Sequence, residues 1–325
     1  MLKTRITEMF GVEHPIIQGG LMWIANADLT SAVANAGAMG FMTALSFETP
    51  DDLRAEIRRC RDLTDKPFGV NLTFLPSLRQ PDYPAYLMAC AEEGIEFIET
   101  AGRNPEPYMP HLKAAGMKVI HKCTSVRHAL KAQAIGCDAV SIDGFECAGH
   151  PGEDDVTSLI LIPVTADALD IPIVASGGFG DGRGLAAALA LGAEGMNMGT
   201  RFVATQEAPL HDNLKQAMVD YGETDTSLVM RSLRNTERVL TTETTKKVIE
   251  IESTGTATIA DIAQYVSGKR GYEQVLKQGN VQEGVMAAGQ VMGLIHDIPT
   301  VQELIDRIME DAEAIIHDRL TSMTT

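Results

Sequence analysis

Short apolar, β-branched runs alternate with stretches of helical period from residue 15 to residue 221. The runs fall at 15–20, 39–44, 68–73, 97–102, 118–123, 139–144, 171–178 and 195–200. Runs of this length bounded by turn residues read as buried strands. Between them, 27–36, 50–63, 83–93, 107–115, 125–135, 158–169 and 182–191 repeat apolar residues at i, i+3 and i+4, which marks one face of a helix. Gly37, Gly94, Gly116, Gly136 and Gly192 follow helical stretches, where a residue without Cβ can end a helix in the left-handed conformation. Strict alternation requires parallel strands joined by right-handed crossovers. Eight such strands predict an α/β fold closed into a (β/α)8 TIM barrel, in preference to an open doubly wound sheet.

Past Phe202 the pattern changes. The stretch 211–221 predicts the eighth barrel helix, 230–236 and 241–279 a polar helical region without strands, 279–295 a further helix, and 301–320 a terminal amphipathic helix. The expected organisation is a barrel core over 1–222, a helical extension over 223–300 and a C-terminal helix over 301–325 packed on the barrel.

A barrel brings the C-terminal ends of its strands to one mouth, and polar and glycine residues accumulate at those ends: Gln18-Gly-Gly, Asn71-Leu-Thr73, Glu99-Thr-Ala-Gly102, His121-Lys-Cys-Thr124, the segment from Asp143 to His150, Ser176-Gly-Gly178 and Gly199-Thr200. Gly177, Gly178, Gly180 and Gly182 open a helix after the seventh strand, and Gly199-Thr200 ends the eighth. Bare amides and a helix start at two adjacent strand ends predict a phosphate cradle. Lys122 at the end of the fifth strand places an ammonium where an anion or developing charge should meet it. His150, in a glycine-flanked loop after the sixth strand, suits proton donation or abstraction. Trp23 follows the first strand end and either shapes a pocket wall or packs.

Composition narrows the classes. The formal net charge of −17 argues against nucleic-acid partners, and no apolar run is long enough to insert in a membrane. The N-terminus lacks the layout of a signal peptide, so a cytoplasmic location is expected. Five scattered cysteines without a C-x-x-C pair predict reduced thiols rather than disulfides or zinc. Glu153, Asp154 and Asp155 read as carboxylates at a helix N-terminus, not as a metal cluster. The glycines after the seventh strand do not stand in the first-strand context of a dinucleotide-binding Rossmann unit.

These residues together resemble the FMN-dependent nitronate monooxygenase (2-nitropropane dioxygenase) family, which includes a bacterial NADH:quinone reductase branch and relatives of the flavin-dependent enoyl-ACP reductases. The motifs that carry the resemblance are Gly11-Val-Glu-His-Pro-Ile-Ile-Gln-Gly-Gly20, Pro67-Phe-Gly-Val-Asn-Leu-Thr73, His121-Lys-Cys-Thr124, Phe145-Glu-Cys-Ala-Gly-His150, Ala175-Ser-Gly-Gly178 and Met198-Gly-Thr-Arg-Phe202. The resemblance implies a barrel with a helical extension and FMN at the mouth. It implies that Gly20, Leu21 and Met22 flank the flavin ring and that Asn71 and Lys122 contact it. Ala148, Ser176, Gly177, Gly178, Gly199 and Thr200 would line the ring or cradle the phosphate, and His150 would be the catalytic histidine.

Cys147-Ala-Gly-His150 followed by Pro-Gly-Glu-Asp-Asp155 departs from the Ala-Gly-Gly-His usual in nitronate monooxygenases and resembles the NADH:quinone reductase branch. In that branch the segment from Leu75 to Pro81 is expected to cover the flavin. The expected substrates are therefore NADH and a quinone, with an alkyl nitronate and O2 as the alternative. A flavin-free lyase using Lys122 as a Schiff-base amine, and a non-catalytic binding barrel, are the rivals from other classes. Both a monomer and a homodimer are compatible with the sequence.

Overall fold

A computed structural model describes residues 2–74 and 80–324. Eight parallel strands close in sequence order into a barrel: β1 (Ile16–Gln18), β2 (Met39–Thr43), β3 (Gly69–Phe74), β4 (Phe97–Gly102), β5 (Lys118–Cys123), β6 (Ala139–Asp143), β7 (Ile173–Ser176) and β8 (Met196–Met198). Closure is made by β8 against β1, with Ile16 opposite Met196 and Gln18 opposite Met198. The strands are nearly all buried because helices cover their outer face and side chains fill the inside.

The barrel floor is apolar. Ile17, Met39, Phe41, Phe97, Ile120, Ala139 and Val174 form one buried cluster with Ile6 and Phe10 of the short helix Arg5–Phe10. Phe10 meets Phe97 and Phe41 edge-on, with centroids 5.1 and 5.8 Å apart. That geometry suits the aromatic quadrupoles and seals the N-terminal end of the barrel.

The ring of outer helices closes differently from the sequence expectation. The helix Asp212–Asp220 forms where 211–221 predicts it, but the place between the helices Gly182–Ala190 and Ala27–Asn35 is taken by the C-terminal helix Val301–Ala314. Gly182 permits the approach, since a Cβ there would fall 2.6 Å from Ala312 N and 2.7 Å from Ile308 O. Choosing between two amphipathic helices for one site is a long-range packing matter that periodicity does not encode.

The extension also departs from the expectation of a strandless region. β9 (Thr226–Val229) and β10 (Glu237–Leu240) pair antiparallel, with Val229 opposite Glu237. Four-residue strands joined by a turn in which Met230 (φ 58°) and Arg234 (φ 52°) are left-handed carry no glycine signal. The stretch 279–295 is not one helix but two short 3-10 turns, Val281–Glu283 and Gln290–Leu294, interrupted by Gly284 and Gly289.

Among the described residues no helix is long and apolar enough to cross a membrane, and no group of His, Cys, Asp and Glu is arranged to hold a metal. All five cysteines are free and buried. Burial pushes the Cys60, Cys90 and Cys137 thiols up to about 12, so they stay protonated at neutral pH.

Candidate active site

Above the floor the barrel interior turns polar. Gln18, Asn71, Glu99, Ser141 and Asn197 are all buried; Gln18 Nε2 donates to Phe41 O at 3.3 Å, and Glu99 on β4 is the centre of the others. Its carboxylate accepts hydrogen bonds from the Gly20 N–H (2.7 Å), Asn71 Nδ2 (2.6 Å) and Asn197 Nδ2 (3.2 Å), and lies 3.8 Å from Lys122 Nζ. Four partners compensate a charge that would otherwise be very costly to bury. The glycines after Gln18 exist to leave room for this network. A Cβ on Gly19 would sit 2.9 Å from both Glu99 Oε1 and Lys122 Nζ, and one on Gly20 would sit 2.5 Å from Asn71 Oδ1.

Burial, the largest single influence on Lys122, would lower its pKa. The carboxylates of Glu99 and Asp143 outweigh it and hold the ammonium above its ordinary value. Asp143, at the end of β6, is pushed up by burial against the opposing pull of Lys122 and Ser176. Its Oδ1 is buried and has no hydrogen-bond partner among the described residues. Lys122 therefore enters the mouth as a fixed cation over an acidic layer.

The turn after β7 is narrower in function than the sequence suggests. Gly177 (φ 89°) and Gly178 (φ 85°) are both left-handed, and the N–H of neither has a partner among the described residues. The Ser158 hydroxyl donates to Gly177 O at 2.7 Å and fixes the turn. Gly180 and Gly182 do not share in it. A Cβ on Gly180 would lie 2.7 Å from Val291 Cγ2, and Gly182 faces the C-terminal helix, so both glycines serve packing. The helix Gly182–Ala190 is already capped by Asp181, which accepts from the Gly184 N–H at 3.0 Å. At the next strand end, Gly199 leads into the helix Thr200–Val203, and Thr200 Oγ1 accepts from the Gly289 N–H at 3.0 Å. That contact leaves the hydroxyl proton to be donated.

His150 is exposed, in the loop 144–157, and its position is set from the hairpin. Gly149 and Arg238 exchange backbone hydrogen bonds of 3.0 and 2.6 Å. The Arg238 guanidinium donates to Phe145 O from Nε (3.2 Å) and Nη2 (3.0 Å) and lies 4.5 Å over the Phe145 ring. The acidic run after His150 is part of the same clamp rather than a helix cap. Glu153 accepts from the Thr236 N–H (2.9 Å) and hydroxyl (2.7 Å), and Asp155 pairs with Arg231. The helix Ser158–Ala166 is instead met by Glu146, whose Oε2 accepts from the Ser158 N–H at 3.0 Å.

Gly20, Leu21, Met22, Asn71, Lys122, Ala148, His150, Ser176, Gly177, Gly178, Gly199 and Thr200 all line one cavity of about 470 Å³ at the mouth. Trp23 belongs to its wall. The Trp23 backbone is left-handed (φ 62°), its N–H is held by Ser46 Oγ at 2.7 Å, and its ring stacks on Tyr272 at 5.2 Å. Of the segment expected to cover the mouth, 75–79 lies outside the described residues.

Sequence reasoning gave no role to Glu99, Asn197 or Glu237, which also border this site. Glu237, on β10, is pushed up by burial, against the pull of His150. The strand-end run Glu99-Thr-Ala-Gly102 puts Glu99 at the mouth without revealing its partners; nothing in the sequence points to Glu237, because the hairpin that carries it is not visible there.

Comparison with known proteins agrees with this geometry: the family described as nitronate monooxygenase matches residues 3–311. The chain belongs to the nitronate monooxygenase family. It is 36% identical, over 96% of each chain, to (3aS,4S,5R,7aS)-5-hydroxy-7a-methyl-1-oxo-octahydro-1H-indene-4-carboxyl-CoA dehydrogenase of Rhodococcus jostii (strain RHA1). It is 32% identical to a probable nitronate monooxygenase of Staphylococcus aureus (strain Newman), over 69% of this chain and 74% of the other. Among solved structures, FabK from Thermotoga maritima superposes with a TM-score of 0.90 at 34% identity, covering 99% of this chain and all of that one. Nitroalkane oxidase from Streptomyces ansochromogenes gives 0.79 at 26% identity, over 94% and 97%. Nitronate monooxygenase family enzymes are generally flavin-dependent oxidoreductases.

Proposed function

We propose that this member of the nitronate monooxygenase family is an FMN-dependent oxidoreductase that takes hydride from NADH and passes two electrons to a quinone. The observation that carries the reading is that unpartnered glycine amides, a buried lysine cation and an exposed histidine open into one cavity. The residues fit the cofactor in charge and shape. The Gly177 and Gly178 amides, with Gly199 and the Thr200 hydroxyl, offer donors to a phosphate. Lys122 and the Asn71 amide line the same cavity and would contact the electron-rich part of the ring, while Gly20, Leu21, Met22, Ala148 and Ser176 supply walls without competing charge.

FMN, when bound, supplies the hydride chemistry. The chain's own residues then orient and move protons. Lys122 opposes negative charge that develops at the reacting centre, and its ammonium stays charged because Glu99 and Asp143 hold its pKa up. His150, on the solvent side, provides a proton to the oxygen of the reduced acceptor. Trp23, braced by its stack on Tyr272, lines the cavity with an apolar ring against which an uncharged acceptor can lie. No Rossmann fingerprint provides a separate nicotinamide site, so donor and acceptor use the same face in turn. A raised lysine pKa speaks against the flavin-free lyase, whose Schiff-base amine must be deprotonated.

The second reading is oxidation of alkyl nitronates by O2. The family match and the likeness to nitroalkane oxidase favour it. Anaerobic mixing separates the two. Bleaching of a yellow preparation by NADH and recolouring by a quinone is the expected result; bleaching by propyl nitronate alone selects the second reading, and a colourless preparation trapped by borohydride with a carbonyl compound overturns both.

A further inference from the structure

We propose that the outer lobe of the mouth is a second, anion-binding site that receives the diphosphate of a nucleotide-bearing substrate between Arg103 and Arg234. The lobe is a cavity of about 550 Å³ that adjoins the inner one and shares Lys122 and His150 with it. Its size is that of a pocket for a whole small ligand. Arg103 follows β4 directly, and Arg234 sits in the turn between β9 and β10, so barrel and extension each contribute one guanidinium.

The charge balance there runs against the rest of the molecule. With a net charge of −17 the chain has carboxylates to spare, and other cations near the lobe use them: Lys131 pairs with Glu106 at 2.8 Å and Arg231 with Asp155. Arg103 and Arg234 have no carboxylate partner among the described residues. Two carboxylates face the lobe. Glu153 is engaged by Thr236 through both oxygens, and Asp143 lies at the floor beside Lys122. His128 and Lys131 add basic groups to the wall. Two planar forks free of acids, facing one cavity, match the paired oxygens of a phosphoanhydride.

A ligand held there reaches the inner lobe with its other end, past Lys122 and His150. Two kinds of substrate carry an adenosine diphosphate at one end and a reactive group at the other: a reduced nicotinamide dinucleotide and an acyl-coenzyme A. The sequence offers no glycine fingerprint for such a diphosphate, so side chains have to receive it. The identity of the inner-lobe reaction rests on the FMN reading above; the anion site does not.

Titration of ADP into the full chain by calorimetry tests the site without any turnover. ADP is expected to bind, with affinity falling steeply as salt rises. Arg103→Gln and Arg234→Gln should each weaken it about tenfold or more, and the double variant by the product. Lys247→Gln, away from the lobe, should leave it unchanged, as should the melting temperature of every variant. Absence of ADP binding, or a double variant that binds ADP like the parent, overturns the proposal.

Displacement of bound ADP by NADH or by acetyl-coenzyme A then identifies the source, and displacement by neither also overturns it. If NADH is the ligand, the double variant raises the NADH concentration that half-saturates anaerobic flavin bleaching while the limiting rate holds. A preparation without flavin sinks the FMN reading and leaves the ADP titration fully readable.

Discussion

The two ends of the barrel are built from the same eight strands and obey opposite rules. At the floor, Ile17, Met39, Phe41, Phe97 and Val174 pack on Phe10 with no polar atom to satisfy. At the mouth, a few residues further along the strands, Asn71, Glu99, Ser141 and Asn197 are just as buried but bound to one another around Glu99, which faces Lys122. Burial alone therefore does not mark the site. What marks it is buried charge whose partners come from three different strands and the turn after a fourth. The floor gains stability from area and shape, whereas the mouth holds groups that cost stability and are kept for chemistry.

The largest effect should come from breaking the floor. Phe10 is 2% exposed and is the plug of the barrel, and Phe10→Ala is expected to cost about 3–5 kcal/mol of unfolding free energy through lost transfer and a cavity. Flavin content and the rate of anaerobic bleaching at 25 °C should stay close to the parent's as long as the chain is folded. Urea unfolding paired with flavin absorbance reads both. Loss of flavin well before unfolding would erase the proposed independence of the two ends.

How much of this was legible follows the same division. The parallel strands are continuous apolar runs because both of their faces are buried, and glycine stops mark the helix ends, so the barrel can be read from local pattern. Lys122 and His150 could be placed at the mouth for the same reason, since strand ends fix the face. Glu99 could not be given its role, because its partners Gly20 and Asn197 lie 79 and 98 residues away. The β9–β10 hairpin, which sets the loop of His150 through Gly149 and Arg238, has strands too short to rise above turn composition. The choice of Val301–Ala314 as the closing helix rests on Gly182, whose need for space is visible only once the two helices are together.

A middle-sized effect is expected where the polar layer meets acid. His121 on β5 is buried, bonded to Thr100 Oγ1 at 2.8 Å, and burial lowers its pKa from 6.5 to about 4. The unfolded chain then binds the extra proton first, so stability is full above about pH 6.5 and falls as pH drops toward 4. At pH 4.5 the loss amounts to roughly 2–3 kcal/mol, following the gap between those two values at 1.36 kcal/mol per unit. Urea midpoints at pH 7 and 4.5 measure it, and His121→Asn should flatten that difference. A slope unchanged by the substitution would move the acid sensitivity to other groups.

The smallest effect is expected at His150, and it separates chemistry from binding most cleanly. The imidazole is exposed, and its loop is held by Gly149, Glu153 and Asp155, not by the ring itself. His150→Ala should therefore fold, and it should keep flavin, because the Gly177–Gly178 and Gly199–Thr200 donors are on other loops. General acid help is commonly worth about 10²–10⁴-fold, but water can reach this position and take over part of the transfer, so a loss of roughly tenfold is expected in the oxidative half-reaction with a quinone. The reductive half-reaction with NADH needs no proton from the protein and should change less. Stopped-flow traces of the two halves decide it: equal slowing of both would make His150 a positioning residue for ligands, and parental rates in both would pass the proton to Lys122 or to solvent.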